Sequence, residues 1–255
     1  MYPFIHIGPL TLGTYGIMVA TGLICAFFLV RADLRRRGFG ADAENIIGTT
    51  GLAGLVGARL YHLLEAPSEF FAHPLPLLFS TMGFAWFGAV IGGFLALVYL
   101  ARHYRMSVLL MLDIASPAAA IGYGIGRIGC LISGDGDYGT PTSLPWGMSF
   151  PNGLVPTTER VHPTPIYEFL AAMVIGYILW RIGARAMGGL RPAGEVFAFY
   201  LILTGVARFL VEFIRINPRS FFGMSNAQTA SVASMVAGIL LLMLLLRRIR
   251  SQAVI

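Results

Sequence analysis

The sequence predicts an all-α polytopic membrane protein of about seven transmembrane helices with an irregular extracytoplasmic cap. Three observations predict it. The composition is 56% hydrophobic and only 12% charged, with a mean hydropathy of +0.75, whereas a soluble domain carries about a quarter charged residues. Seven mostly apolar runs fall at about 12–30, 45–64, 81–101, 108–131, 165–182, 194–214 and 226–246, each near the roughly 20 residues that cross the hydrocarbon layer. The net charge of +6 comes from arginine alone, and the arginines cluster in alternate connections. That is a topology signal rather than a groove for a polyanion, so no nucleic-acid partner is expected.

Each span has its own marks. Met1 to Leu10 holds no positive charge, so the first span is expected to be permanent rather than a cleaved signal peptide. The second carries Gly48, Gly51, Gly54 and Gly57, and the third Gly88 and Gly92, small residues that suit close helix packing. Arg31, Arg35, Arg36 and Arg37 follow the first span, Arg102 and Arg105 the third. Arg181, Arg185 and Arg191 follow the fifth, and Arg247, Arg248 and Arg250 the last. The opposite connections hold only Arg160, Arg215 and Arg219, which puts the N-terminus outside and the C-terminus in the cytoplasm. Residues 132–164 are crowded with Gly and Pro and lack helical periodicity, so they are expected outside the bilayer. Trp146, Met148 and Phe150 suit an ordered cap at the interface. The whole chain, 1–255, is expected to form a single integral membrane domain.

Three arginines fall inside spans: Arg59, Arg127 and Arg208. Arginine at a helix centre costs about 2.5–3.5 kcal/mol even on lenient scales, so each needs a reason. Arg208, Glu212 and Arg215 share one helix face by their i,i+4 and i,i+3 spacing. Arg127 has no acid one turn away. The nearest are Asp135 and Asp137, and Gly122, Gly124, Gly126 and Gly129 around it are expected to break the helix. Guanidinium groups in that setting suit a lipid phosphate. Glu168 stands near a helix start, where the dipole favours a carboxylate, and His162 has a titration range suited to carrying a proton. Tyr15 is at the interface end of the first span. Cys25 and Cys130 form neither a disulfide framework nor a metal motif, and no metal or organic cofactor is indicated.

Five segments resemble the prolipoprotein diacylglyceryl transferases. GRIGCLISGDGDYG (126–139) is similar to that family's GRxGNFxNxExxG, HPTPIYE (162–168) to HPSQLYE, and RFLVEFIR (208–215) to RFxxEFxR. YGIM (15–18) is similar to YGLM, and WFGAVIG (86–92) to FHGGLIG, all in register along nearly the whole chain. Cys130 and Ser133 replace two signature asparagines, Phe87 a histidine, and Thr204 a tyrosine; one extra residue separates Arg127 from Gly139.

The resemblance implies a multi-pass enzyme of the bacterial inner membrane. It would move the diacylglyceryl group of phosphatidylglycerol onto the lipobox cysteine thiol of a prolipoprotein signal peptide, releasing glycerol phosphate. The catalytic candidates are Arg127, Arg208, Glu212, Tyr15, Asp135 and Asp137, with Asp135 or Asp137 activating the thiol. The phosphatidylglycerol-binding candidates are Arg127, Arg208, Gly139, Ser133, His162 and Glu168. A related enzyme acting on another phospholipid or polyprenyl phosphate, or an anion transporter, would use buried arginines similarly. The transporter reading lacks the expected internal repeat.

Overall fold

The structure, a computed structural model, describes residues 1–65, 67, 70, 85–185 and 192–252. Seven helices dominate it: α1 (Thr14–Arg36), α2 (Ala43–Glu65), α3 (Trp86–His103), α4 (Val108–Ser133), α5 (Thr164–Arg185), α6 (Glu195–Val211) and α7 (Asn226–Gln252). Three two-stranded antiparallel ladders join them: β1 (Phe4–Ile7) with β2 (Leu10–Gly13), β3 (Met148–Phe150) with β4 (Thr157–Val161), and β5 (Arg219–Phe221) with β6 (Met224–Ser225). Six of the helical segments are long and apolar enough to cross a membrane. The other, α2, has the length at 23 residues but carries Glu44, Asn45, Arg59 and His62. Large apolar side chains such as Ile24, Phe28, Val174, Tyr177, Leu240 and Leu244 are exposed along the helices, as lipid-facing positions should be. Residues 81–84 of the third expected span and Arg191 of the fifth connection lie outside the described residues.

The chain divides into two compact units, residues 31–111 and residues 1–30 with 112–255. In the first, α2 and α3 pack at backbone contact. A methyl group on Gly57 or Gly88 would meet the other's carbonyl oxygen, and one on Gly92 would meet that of Ala53. Gly48, from the same sequence stripe, faces nothing within 4 Å. Phe87 is half-exposed against Tyr61 and Trp86.

In the second unit the glycines of α4 act differently from the expectation. The helix runs unbroken past Arg127 to Ser133: Gly122, Gly124 and Gly129 admit neighbours rather than release the backbone, and Gly126 faces open space. Gly22 of α1 stands 3.1 Å, by its would-be Cβ, from the Gly122 carbonyl; Gly124 fits against Met173 and Ala172; Gly129 fits against Tyr15 and Met18. Buried Leu179 and Val196 with Ala120 and Ile175 form the core joining α4, α5 and α6. Asp113 of α4 accepts the Gly194 and Phe197 N–H groups, each at 2.7 Å, satisfying donors that the first turn of α6 leaves open. The segment after α4 is less irregular than its composition suggests. The β3–β4 ladder and the stacked Tyr138–Phe150 pair, with Val161, give it a small core.

Candidate active site

Four elements of this second unit deliver charged side chains to one point. Arg127 comes from α4, Glu168 from the first turns of α5, and Arg208 from the last turn of α6. Glu212 lies in the 3-10 turn continuing α6, Arg215 directly follows it, and Asp137 lies in the loop after α4. Glu168 is the hub. Its Oε1 accepts from the Tyr123 hydroxyl at 2.7 Å, Arg127 Nη2 at 3.1 Å and Arg208 Nη1 at 2.6 Å, and its Oε2 from Arg215 Nη1 at 3.3 Å. Asp137 bridges Arg127 and Arg215, one guanidinium on each carboxylate oxygen. Glu212 faces Arg208 at 3.0 Å. Arg127 Nε donates to the Tyr123 hydroxyl at 3.0 Å, with the guanidinium 5.2 Å from that ring's centre.

Three guanidinium groups thus meet three carboxylates, and the charges balance. This offsets the cost of placing Arg127 in an apolar helix, through partners remote in sequence. The three cations differ in access: the side chains of Arg208, Arg127 and Arg215 are 24%, 12% and 6% exposed. Arg208 is the one most open to an incoming anion, and the other two are enclosed by their carboxylates.

The two loop aspartates have opposite environments. Burial alone would push Asp137 up, but Arg127 and Arg215 outweigh it and hold its carboxyl below the ordinary value. Burial pushes Asp135 above it; a hydrogen bond from the Cys130 thiol opposes that rise, and the charge of Asp137 adds to it. Asp135 is therefore the better proton acceptor of the pair. Cys130, Asp135 and Asp137 also place ligand atoms within 4.8 Å of one another. Arg127 already contacts Cys130 at 3.5 Å and salt-bridges Asp137, so a metal cation there would compete with a guanidinium.

The remaining candidates divide. Tyr15 packs on Gly129, the residue next to Cys130. Gly139 pairs with Arg215 in a backbone bridge, so close that a side chain would strike the Ile214 carbonyl. Ser133 is buried and donates to the Cys130 carbonyl at 3.2 Å, while His162 Nδ1 meets the Tyr167 hydroxyl at 3.2 Å; neither contact is with the guanidinium cluster. Two residues of the cluster, Arg215 and Tyr123, are not among the candidates expected from the sequence. The signals were present: Arg215 shares the Glu212 face, and Tyr123 lies one helical turn before Arg127.

A family model described as prolipoprotein diacylglyceryl transferase matches residues 3–244. The chain belongs to the prolipoprotein diacylglyceryl transferase family. Relatives bear the name phosphatidylglycerol–prolipoprotein diacylglyceryl transferase. The protein of Geobacter sulfurreducens is 36% identical over 258 residues, covering 96% of this chain and 95% of its own. That of Clostridium tetani is 32% identical over 228 residues, covering 88% and 90%. That of Bordetella avium is 32% identical over 262 residues, covering 97% and 96%. The residues matched by the family model, 3–244, include every helix that carries the arginine–carboxylate cluster.

Proposed function

We propose that the protein transfers the diacylglyceryl group of phosphatidylglycerol to the thiol of a lipobox cysteine in a prolipoprotein signal peptide, releasing glycerol phosphate. The observation that carries the reading is the cluster of Arg127, Arg208 and Arg215 on Glu168, in which Arg208 keeps the most open face. A phosphodiester brings one negative charge, and the leaving glycerol phosphate gains a second. Fixed guanidinium groups in a site of low dielectric stabilise that gain without having to reorganise.

The acceptor thiol reacts far better as thiolate. Asp135 takes its proton; Asp137 is committed to Arg127 and Arg215. The thiolate attacks the glyceryl carbon, the carbon–oxygen bond breaks, and its electron pair stays on the phosphate oxygen. Negative charge thereby moves from Asp135 to the phosphate beside Arg208. Tyr15, packed on the same stretch of α4, helps place the acceptor. The protein acts in the bacterial inner membrane with its N-terminus outside, and the segment between α4 and α5 forms its extracytoplasmic cap.

The test is a transfer assay on detergent-purified protein with phosphatidylglycerol and a lipobox peptide, following peptide mass and released glycerol phosphate together. Equal amounts of diacylglyceryl-peptide and glycerol phosphate are expected. Glycerol phosphate without peptide modification would replace the reading with hydrolysis.

A further inference from the structure

Helix α7 opens with Ser225-Asn226-Ala227-Gln228, and its first turn is closed reciprocally. The Gln228 N–H donates to Ser225 Oγ at 3.1 Å, and the Ser225 N–H donates to Gln228 Oε1 at 3.1 Å. This is a capping box, and it satisfies backbone donors that the helix start would leave open. Ser225 and Gln228 are 3% and 1% exposed. A serine hydroxyl has acceptor lone pairs and one proton. Here the cap uses the lone pair, and the proton goes to Glu212 Oε1 at 2.8 Å. Asn217 Nδ2 donates to the same oxygen at 2.5 Å. The other oxygen of Glu212 faces Arg208 Nη2 at 3.0 Å. The carboxylate is thus divided: Ser225 and Asn217 fix one oxygen, and the other lies in ion-pair range of Arg208 Nη2 and, at 3.8 Å, of Arg215 Nε. The β5–β6 turn makes this possible. It reverses the chain through Phe222 and Gly223, both at positive φ (47° and 72°), so that Ser225 returns beneath Glu212.

We propose that Ser225 is a positioning residue for Arg208, acting through Glu212, and that its role extends beyond capping α7. The inference rests on reading Arg208 as the phosphate-binding guanidinium. Without Ser225 the Glu212 oxygen keeps Asn217 as its remaining donor, so the carboxylate loosens in its pocket. Arg208, still held by Glu168, loses the alignment of one of its two anchors, and loss of alignment of that kind lowers turnover.

Glycine separates the two roles, because it serves at an N-cap with only a small loss but has no hydroxyl for Glu212. Threonine retains both functions. The experiment measures kcat, KM and melting temperature for Ser225→Gly, Ser225→Thr and Arg208→Ala, with phosphatidylglycerol and a lipobox peptide as substrates. Ser225→Gly is expected to lose some melting temperature but stay folded at the assay temperature, with kcat per folded molecule reduced about tenfold, and Ser225→Thr to restore most of both. Ser225→Gly at wild-type kcat beside an inactive Arg208→Ala would overturn the inference alone. Arg208→Ala at wild-type kcat would sink the phosphate reading and the inference with it.

Discussion

Helix α6 is held at each end by a nearly buried carboxylate, and the two do different work. Asp113, 3% exposed, grips the start of the helix through two backbone N–H groups at 2.7 Å. Glu168, 4% exposed, meets Arg208 in the last turn and shares the same charge with Arg127 and Arg215. Backbone donors fix a position and leave no cation behind. Guanidinium groups bring full charges, and one of them keeps an open face. The same kind of side chain, equally buried, is a cap at one end and the centre of a charge site at the other. The partners decide which, not burial.

Substitutions at the two ends test that contrast. Glu168→Gln keeps the size of the side chain but removes the charge that organises three cations. Transfer should fall by about 10²–10³-fold, read as initial rates of peptide modification. Asp135→Asn should cost about 10²-fold, the usual range for loss of a general base. It also changes the pH profile. Burial holds the Asp135 carboxyl above its ordinary value, so wild-type activity should rise as pH climbs through that raised value, and Asp135→Asn should lose the rise. Asp137 has the opposite sign. Its lowered value means that its contribution to stability is complete above the unfolded carboxylate range and disappears only as pH falls through the folded value.

Asp113→Asn should have the smallest effect on chemistry. It leaves one of two buried N–H groups poorly matched, at a cost of about 1–3 kcal/mol in unfolding free energy. Turnover per folded molecule should stay within about twofold of the wild type, consistent with a capping role. If Asp113→Asn lost activity as deeply as Glu168→Gln, the division of roles between the two ends would collapse.

Much of the fold was legible because hydropathy reports helices directly. The described helices overlap the seven expected runs, and α1 extends to Arg36, beyond the expected end at 30. Helical hydrogen bonding continues into polar residues that a hydropathy window discards. The β1–β2 hairpin carries exposed Phe4, Ile5, Ile7 and Leu10 on both faces, so it had no alternation to announce it. The glycines around Arg127 misled because a break and a close helix contact use the same residue. In the site, Arg208 and Glu212 were legible from helical spacing. The hub position of Glu168 was not, since Arg127 is 41 residues from it and Arg208 40. Asp135 and Asp137 were indistinguishable in sequence, and the two guanidinium partners of Asp137 separate them.

The most direct test of the central claim is Arg208→Ala in the transfer assay, with folding checked by melting temperature. The cluster predicts that both diacylglyceryl-peptide and glycerol phosphate fall together by at least about 10²-fold, while the protein remains folded in detergent. Near-wild-type release of both products from that variant would contradict the phosphate-binding role of the cluster.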